Sequence, residues 1–181
     1  MTERHNHKTR RVLALDMAIK TGWCVMQDGN RIEASGVWDY THARDKGRHN
    51  GHLFNEVYGD IDDAVTTYGV NLICYERAHH RGASTRITLG MASAALMAAA
   101  SLNIEVFDVH TVTLKKFATG NYKAGKDDMK AFAKTLLGRE PVDDNEADAV
   151  AVAVWAMANA PAEARCKASP PAGCSDGGSN G

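Results

Sequence analysis

Four acidic residues lie at positions where folding could bring their side chains together. Asp16 follows the apolar run RVLAL, Glu76 follows VNLICY, and Asp144 and Asp148 stand four residues apart near the start of a predicted helix. Residues at i and i+4 project from one face of a helix, and an open α/β sheet places its ligands beyond the carboxyl ends of its strands. All four carboxylates could therefore share one cleft.

Carboxylates crowded into one cleft repel each other, which raises their pKa values or destabilises the fold unless a cation neutralises them. Oxygen ligands without a nearby set of His and Cys side chains favour Mg²⁺ or Mn²⁺ over Zn²⁺. Two such ions about 4 Å apart can activate water and stabilise the leaving oxygen in phosphodiester hydrolysis. The acids therefore predict a two-metal nuclease site whose ligands are Asp16, Glu76, Asp144 and Asp148.

Each acid also has a purely structural interpretation. Asp16 could cap a turn, and Glu76 could form a surface ion pair. Asp143 and Glu146 fit a capping box, with Asp143 at the N-cap and Glu146 at the third helical position, and we favour that interpretation for this pair. The structural interpretation is weaker for Asp148, because this residue precedes the apolar run AVAVAVW and a charge that enters so apolar a helix needs a partner. We therefore favour a functional role for Asp148.

The elements that would position these residues follow a pattern typical of α/β proteins. Three β-rich runs begin at Arg11, and an Asp28-Gly29-Asn30 turn joins the second run to the third. Helical spacing covers residues 53–68, 85–102 and, with Gly and Pro interruptions, 111–160, whereas residues 70–75 and 104–109 are continuous apolar runs of strand length. This order predicts an α/β, RNase H-like fold: a mixed five-stranded sheet, made of a three-strand antiparallel meander plus two parallel strands, with helices on both faces.

Length and composition predict one folded domain. The chain has 181 residues, of which 44% are apolar and 24% charged. We expect a flexible N-terminus over residues 1–10, the folded nuclease domain over 11–160 and a disordered, Gly-rich and Ser-rich tail over 161–181. The net charge of −1 excludes a uniformly basic surface for nucleic acid or membrane.

Cysteines and hydropathy indicate the compartment. Cys24 and Cys74 lie in apolar runs, where a reduced cysteine acts as a small hydrophobe, and this favours a cytoplasmic protein. A disulfide or zinc role for Cys166 and Cys174 is the less favoured alternative. The polar start of the chain has no apolar core of a signal peptide, and the most apolar stretch, 87–102, contains serines and is short, so we expect neither export nor a membrane span.

A basic band accompanies the acids despite the balanced total charge. Between residues 77 and 126 there are seven Lys and Arg residues and two Asp and Glu residues. Lys and Arg contacts to phosphates supply most of the nonspecific affinity for DNA. We expect this band to form a DNA-binding face that includes Arg81, Lys115, Lys116 and Lys123, although a solvated surface without a partner would have the same composition.

Four stretches together resemble the RuvC family of Holliday junction resolvases. They are LALDMAIKTGWCV, LICYERAHH, LKKFATGNYKAGK and DDNEADAVAVAVWA, and they run in order from about residue 12 to 158. The resemblance implies a homodimeric, metal-dependent endonuclease that cuts four-way DNA junctions. It assigns metal binding to Asp16, Glu76 and Asp148 and places Lys126 near the scissile phosphate.

Three departures from the family pattern affect these assignments. The position three residues before the last Asp is Asn145, and the nearby acid is Asp144, one place earlier, which leaves the fourth ligand open. His79 stands where the family places an aromatic wedge, so we expect it to contact DNA by weaker or partly charged stacking. The loop after Asp16 is one residue shorter and lacks the family's Pro-Gly. With these departures the sequence resembles the phage-encoded branch of the family more than the cellular enzymes.

Two other functions remain compatible with the sequence. A junction-binding module without catalysis would keep the fold but lack a complete metal site because of Asn145. An actin-like nucleotide-binding fragment would explain the LALDMAIKTG run, but the chain is short for that fold and lacks a second Gly-rich phosphate loop.

Overall fold

The structure is a computed structural model that describes residues 9–44, 50–77 and 83–160. Residues 1–8 and the predicted tail 161–181 lie outside the described residues, so the proposed division of the chain into three parts stays a prediction. Within the described ranges, a short 3₁₀ helix spans His42–Arg44. The main elements, in chain order, are β1 (Arg11–Asp16), β2 (Lys20–Gln27), β3 (Arg31–Asp39), α1 (Gly51–Tyr68), β4 (Leu72–Arg77), α2 (Ala83–Leu102), β5 (Glu105–His110), α3 (Thr111–Thr119), α4 (Lys126–Leu137) and α5 (Asp144–Asn159).

The strands form one sheet in the order β3-β2-β1-β4-β5. β1 pairs antiparallel with β2, and β2 pairs antiparallel with β3. On its other side β1 pairs parallel with β4, which pairs parallel with β5. This is the predicted mixed sheet, and the predicted fold class is confirmed. The turn between β2 and β3 also matches the prediction, with Gly29 and Asn30 at φ values of 80° and 57°.

Helices cover both faces of the sheet, which explains why β1 is apolar without alternation. Val12 and Ala14 face the cluster that contains α5, α4 and Leu114 of α3. Leu13 and Leu15 face the opposite cluster, which contains α1 and α2. Because β1 is central and buried on both sides, its carboxyl end has a fixed position in the fold.

The helix α2 is the most apolar of the described helices that pack on the sheet. By length and composition alone, its residues Thr85–Leu102 could also cross a membrane. In this fold Met91, Ala95 and Ala98 are buried against α1 and the sheet. At Gly90 an added Cβ would lie 2.0 Å from the ring of Phe54, so the two helices cross closely there. One face of α2 is therefore part of the core.

Cys24 and Cys74 are buried free thiols, as the sequence predicts. Burial raises the pKa of both thiols, so they stay protonated in the core. Cys166 and Cys174 lie outside the described residues.

Candidate active site

Asp16 is the last residue of β1 and lies beside the first turn of α5. The causes that shift its pKa all act in one direction: burial raises it, and the carboxylates of Glu76, Asp148 and Asp143 raise it further. The result is a pKa well above the ordinary value. Such a carboxyl group is poised either to keep a proton or to accept a cation.

Glu76 lies next to Asp16 at the same edge of the sheet. The parallel register pairs Leu15 with Tyr75, so the two acids follow one residue later on adjacent strands. The hydroxyl of Thr111, the first residue of α3, donates a hydrogen bond to Glu76 Oε1. The sequence-based expectation that acids at two strand ends converge agrees with this arrangement.

Asp148 joins these two acids from the second turn of α5. Its pKa is raised to about 7, first by burial and then by the Glu76 carboxylate, while the ammonium group of Lys115 opposes the rise. The acids of β1, β4 and α5 therefore lie within one electrostatic environment, although they are 60 and 72 residues apart in sequence.

Gly22 allows α5 to approach this edge of the sheet. It pairs with Asp16 across the β1 and β2 ladder. A Cβ on Gly22 would lie only 1.8 Å from the backbone oxygen of Asn145, at the start of α5. A glycine is thus required here by close approach of backbone to backbone. Gly22 lies in the motif LALDMAIKTGWCV, but nothing in the sequence pattern indicates this role.

The start of α5 is fixed by two acids that do not belong to the metal set. Asp143 is the N-cap, and its Oδ1 accepts hydrogen bonds from the N–H groups of Asn145 and Glu146 at 2.8 and 3.0 Å. The predicted N-cap is therefore correct. The second half of the predicted capping box is wrong, because the Glu146 carboxylate accepts from Arg139 and Val142 instead of returning to Asp143.

Glu146 is fully buried and forms a polar link between α5, the preceding loop and β3. It accepts hydrogen bonds from Arg139 at 2.6 and 3.0 Å, from Ser35 Oγ at 2.7 Å and from the Val142 N–H at 2.5 Å. Burial alone would raise the pKa of Glu146, but these donors hold it below its ordinary value. This link fixes the helix turn that lies between Asp144 and Asp148. Sequence reasoning missed it because Arg139 and Ser35 carry no motif.

Asp144 differs from the three clustered acids. Its carboxylate accepts from Lys126 and forms an ion pair with Lys130 at 2.6 Å. The two lysines lower its pKa, whereas the pKa values of Asp16 and Asp148 are raised. Lys126 is therefore beside the predicted site, but it is engaged with Asp144. Lys130 had not been singled out in the sequence.

The predicted DNA-binding residues fall in different surroundings. Lys115 donates to the backbone oxygen of Ala124 at 2.9 Å and acts electrostatically on Asp148, so it borders the carboxylates. Lys116 and Lys123 are exposed. His79 and Arg81 lie outside the described residues.

The basic band is weaker than its composition indicates. Arg77 donates to both carboxylate oxygens of Asp108, at 2.6 and 2.7 Å, so these two charges are paired with each other. Arg77, the residue next to Glu76, is thus paired with Asp108 and not with Glu76. This argues against the alternative in which Glu76 forms a surface ion pair with its neighbour. Among the described residues of the band, Lys115 of α3 and Lys126 of α4 are the cations that act on the acids of the site.

The donor set has the chemistry that Mg²⁺ or Mn²⁺ prefers, since it consists of carboxylate oxygens that repel each other. As the side chains stand, the described part of the chain holds no group of three or more His, Cys, Asp or Glu residues placed to bind one ion. Glu76 is bonded to Thr111, and Asp144 is bonded to two lysines. The acids are thus within electrostatic range of each other but not at ligand distances from a common point.

Comparison with known proteins found a matching family model and several similar relatives. The family model described as "Crossover junction endodeoxyribonuclease RuvC" matches residues 13–156. A protein of that name from Anaeromyxobacter sp. (strain K) is 44% identical over 80 residues, and the match spans 42% of this chain and only 43% of the relative. A namesake from Caldanaerobacter subterraneus subsp. tengcongensis is 26% identical over 149 residues, which cover 80% of this chain and 90% of the relative.

Solved structures show the same fold. The structure titled "T. thermophilus RuvC in complex with Holliday junction substrate" superposes with a TM-score of 0.69 at 16% identity, over 82% of this chain and 96% of the other. At this level of identity the similarity concerns the fold. The range matched by the family model, residues 13–156, contains all the clustered acids and both lysines that bind Asp144.

Proposed function

The chain belongs to the RuvC family of crossover junction endodeoxyribonucleases, and from this premise we propose that it resolves four-way (Holliday) junctions in DNA by paired, metal-dependent hydrolysis of phosphodiester bonds. The observation that carries the proposal is the meeting of Asp16, Glu76 and Asp148 in one electrostatic environment. The junction-bound structure of the Thermus thermophilus protein, which shares the fold, supports branched DNA as the substrate. We expect the protein to act in the cytoplasm.

We assign metal binding to Asp16, Glu76 and Asp148, with Asp144 as the fourth ligand. Two Mg²⁺ or Mn²⁺ ions bound there would supply an activated water and stabilisation of the leaving oxygen. The raised pKa values of Asp16 and Asp148 support this assignment, because a cation relieves the repulsion that raises them. Glu76 and Asp144 would exchange their present partners, Thr111 and the two lysines, for the cations.

The remaining residues of the site bind and orient the DNA. Lys126, freed from Asp144, would stabilise negative charge on the reacting phosphate. Lys115 holds the loop after α3 in place through Ala124. Lys116 and Lys123 would contact the DNA backbone, as would His79 and Arg81, which lie outside the described residues.

A symmetric dimer would place two such sites across one junction. Leu53 of α1 and Met91 of α2 are both buried in the core. The outer face of α2 instead exposes Leu89, Leu96 and Met97, which are 54%, 45% and 64% accessible. We propose that a second copy of the chain covers this face, because an isologous contact between two α2 helices would bury the same apolar stripe twice.

The test uses the full chain with labelled four-way junction, fork and linear duplex, in Mg²⁺ and in chelator. We expect symmetric cuts in the junction only with Mg²⁺, which leave 5′-phosphate and 3′-hydroxyl ends. Asp16→Asn should abolish cleavage and retain junction binding. Equal cleavage of all three DNAs would contradict junction selectivity, and cleavage in chelator would contradict the metal assignment.

A junction-binding module without catalysis is the second candidate. It is favoured by Asn145 at the family's acidic position and by the pairing of Asp144 with lysines. Under this alternative the wild type and Asp16→Asn would both bind the junction, and neither would cut it in Mg²⁺ or Mn²⁺.

A further inference from the structure

The loop between α3 and α4 is a built surface beside the carboxylates. Gly120 ends α3 with a φ of 75°, and Ala124 is buried and accepts a hydrogen bond from Lys115 Nζ at 2.9 Å. The Asn121 side chain accepts from the Lys123 N–H at 2.9 Å, and the Gly125 N–H donates to Asp128 at 2.9 Å. These bonds hold the residues between the glycines in a defined conformation.

Tyr122 projects from this loop into solvent. The residue is 53% exposed, although the next residue but one, Ala124, is buried. The ammonium group of Lys123 lies 5.4 Å from the centre of the Tyr122 ring. An exposed aromatic ring on an ordered loop, with a cation beside it, can stack on another planar ring system.

The position of the loop relates Tyr122 to the reaction site. On one side, Lys115 binds the loop backbone through Ala124 and acts electrostatically on Asp148. On the other side, the loop leads directly into Lys126, which bonds to Asp144. Tyr122 therefore lies on the rim of the acidic site, among the lysines that carry its positive charge.

We propose that Tyr122 stacks on a base that is unstacked at the branch point of the bound DNA, while Lys123 contacts the adjacent phosphate. Every base has a π-face that can stack on an aromatic ring, and lysines beside the ring bind the strand backbone. In a continuous duplex these faces are covered by neighbouring base pairs, whereas a branch exposes them. Tyr122 is then a residue that determines preference for branched DNA over linear DNA. This inference rests on the proposed action on branched DNA.

The test measures binding in chelator, where the DNA stays intact, with two probes of the same sequence: a four-way junction carrying 2-aminopurine next to the branch point, and a linear duplex. Tyr122→Leu should weaken junction binding by about fivefold to a hundredfold. It should leave duplex binding unchanged and reduce the quenching of 2-aminopurine. Tyr122→Phe should behave as the wild type, because it keeps the ring.

Lys123→Gln separates charge from stacking. It should weaken binding to both DNAs by a similar factor and reduce the salt dependence of binding. If Tyr122→Leu binds the junction as tightly as the wild type, or loses affinity equally for both DNAs, the inference about Tyr122 is overturned while the proposed function stands. If the wild type itself shows no preference for the junction, both are overturned.

Discussion

Replacement of Arg139 by alanine would leave the buried Glu146 carboxylate without its cation. Arg139 donates to both oxygens of that carboxylate, at 3.0 and 2.6 Å, and Glu146 is 0% exposed. Breaking a buried ion pair costs ~3 to 5 kcal/mol. Here the arginine side chain is 47% exposed, so water can enter the vacated space. The donors Ser35 and Val142 also remain. We therefore expect a loss of about 2 kcal/mol in the free energy of unfolding.

Urea denaturation in chelator measures this loss. Arg31→Ala is the control, because Arg31 forms an ion pair with Glu33 at 3.7 Å on a side chain that is 72% exposed, and such pairs contribute less than about 1 kcal/mol. The double variant Arg139→Met with Glu146→Leu removes both charges and should recover most of the stability. Two results would contradict this prediction. The first is a loss of unfolding free energy in Arg139→Ala no larger than that in Arg31→Ala, and the second is a double variant as unstable as Arg139→Ala.

Three further predictions concern the acidic site. Gly22→Ala places a Cβ 1.8 Å from the Asn145 carbonyl oxygen, so we expect urea denaturation to show a loss of more than ~2 kcal/mol in the free energy of unfolding. Gly59→Ala is the control and should show no such loss, because no atom lies within 4 Å of its Cβ. In metal-free protein the pKa of Asp148 is raised from 3.8 to about 7, so the folded state binds more protons and stability falls as the pH rises through this window. Asp148→Asn should flatten that fall, and an unchanged slope would contradict the cause given. Lys130→Gln releases Asp144 from one lysine and should tighten Mn²⁺ binding several-fold by calorimetry without DNA, whereas unchanged affinity would show that the lysine does not compete.

The sheet and the helix order were predictable because their signals are periodic and strong. The run VLAL at residues 12–15, apolar at every position, is explained by helices on both faces, and the Asp28-Gly29-Asn30 turn has the residues that a tight hairpin needs. The acids at the ends of β1 and β4 could be paired by topology alone, since parallel neighbours end at one edge. The placement of Asp148 beside them followed from the cost of a charge in an apolar helix.

The side-chain partners could not be predicted in the same way. The capping box was the expected role of Glu146, yet its carboxylate binds Arg139 and Ser35, residues with no local pattern. Asp144 and Asp148 share a helix face, but Lys130, one turn into α4, lies close enough to pair with Asp144. Spacing along a helix predicts which residues share a face, whereas the choice of partner depends on contacts between distant segments.

The place of α5 in the chain affects when the site can first exist during synthesis. This helix contributes Asp148 and also the buried residues that cover one whole face of the central strands. A nascent chain that ends before α5 therefore has an uncovered sheet and only two of the three clustered acids. Under the proposed function, cleavage activity and a closed core should therefore arise together as the chain leaves the ribosome. A stalled or shortened product would then be both inert towards DNA and prone to aggregate.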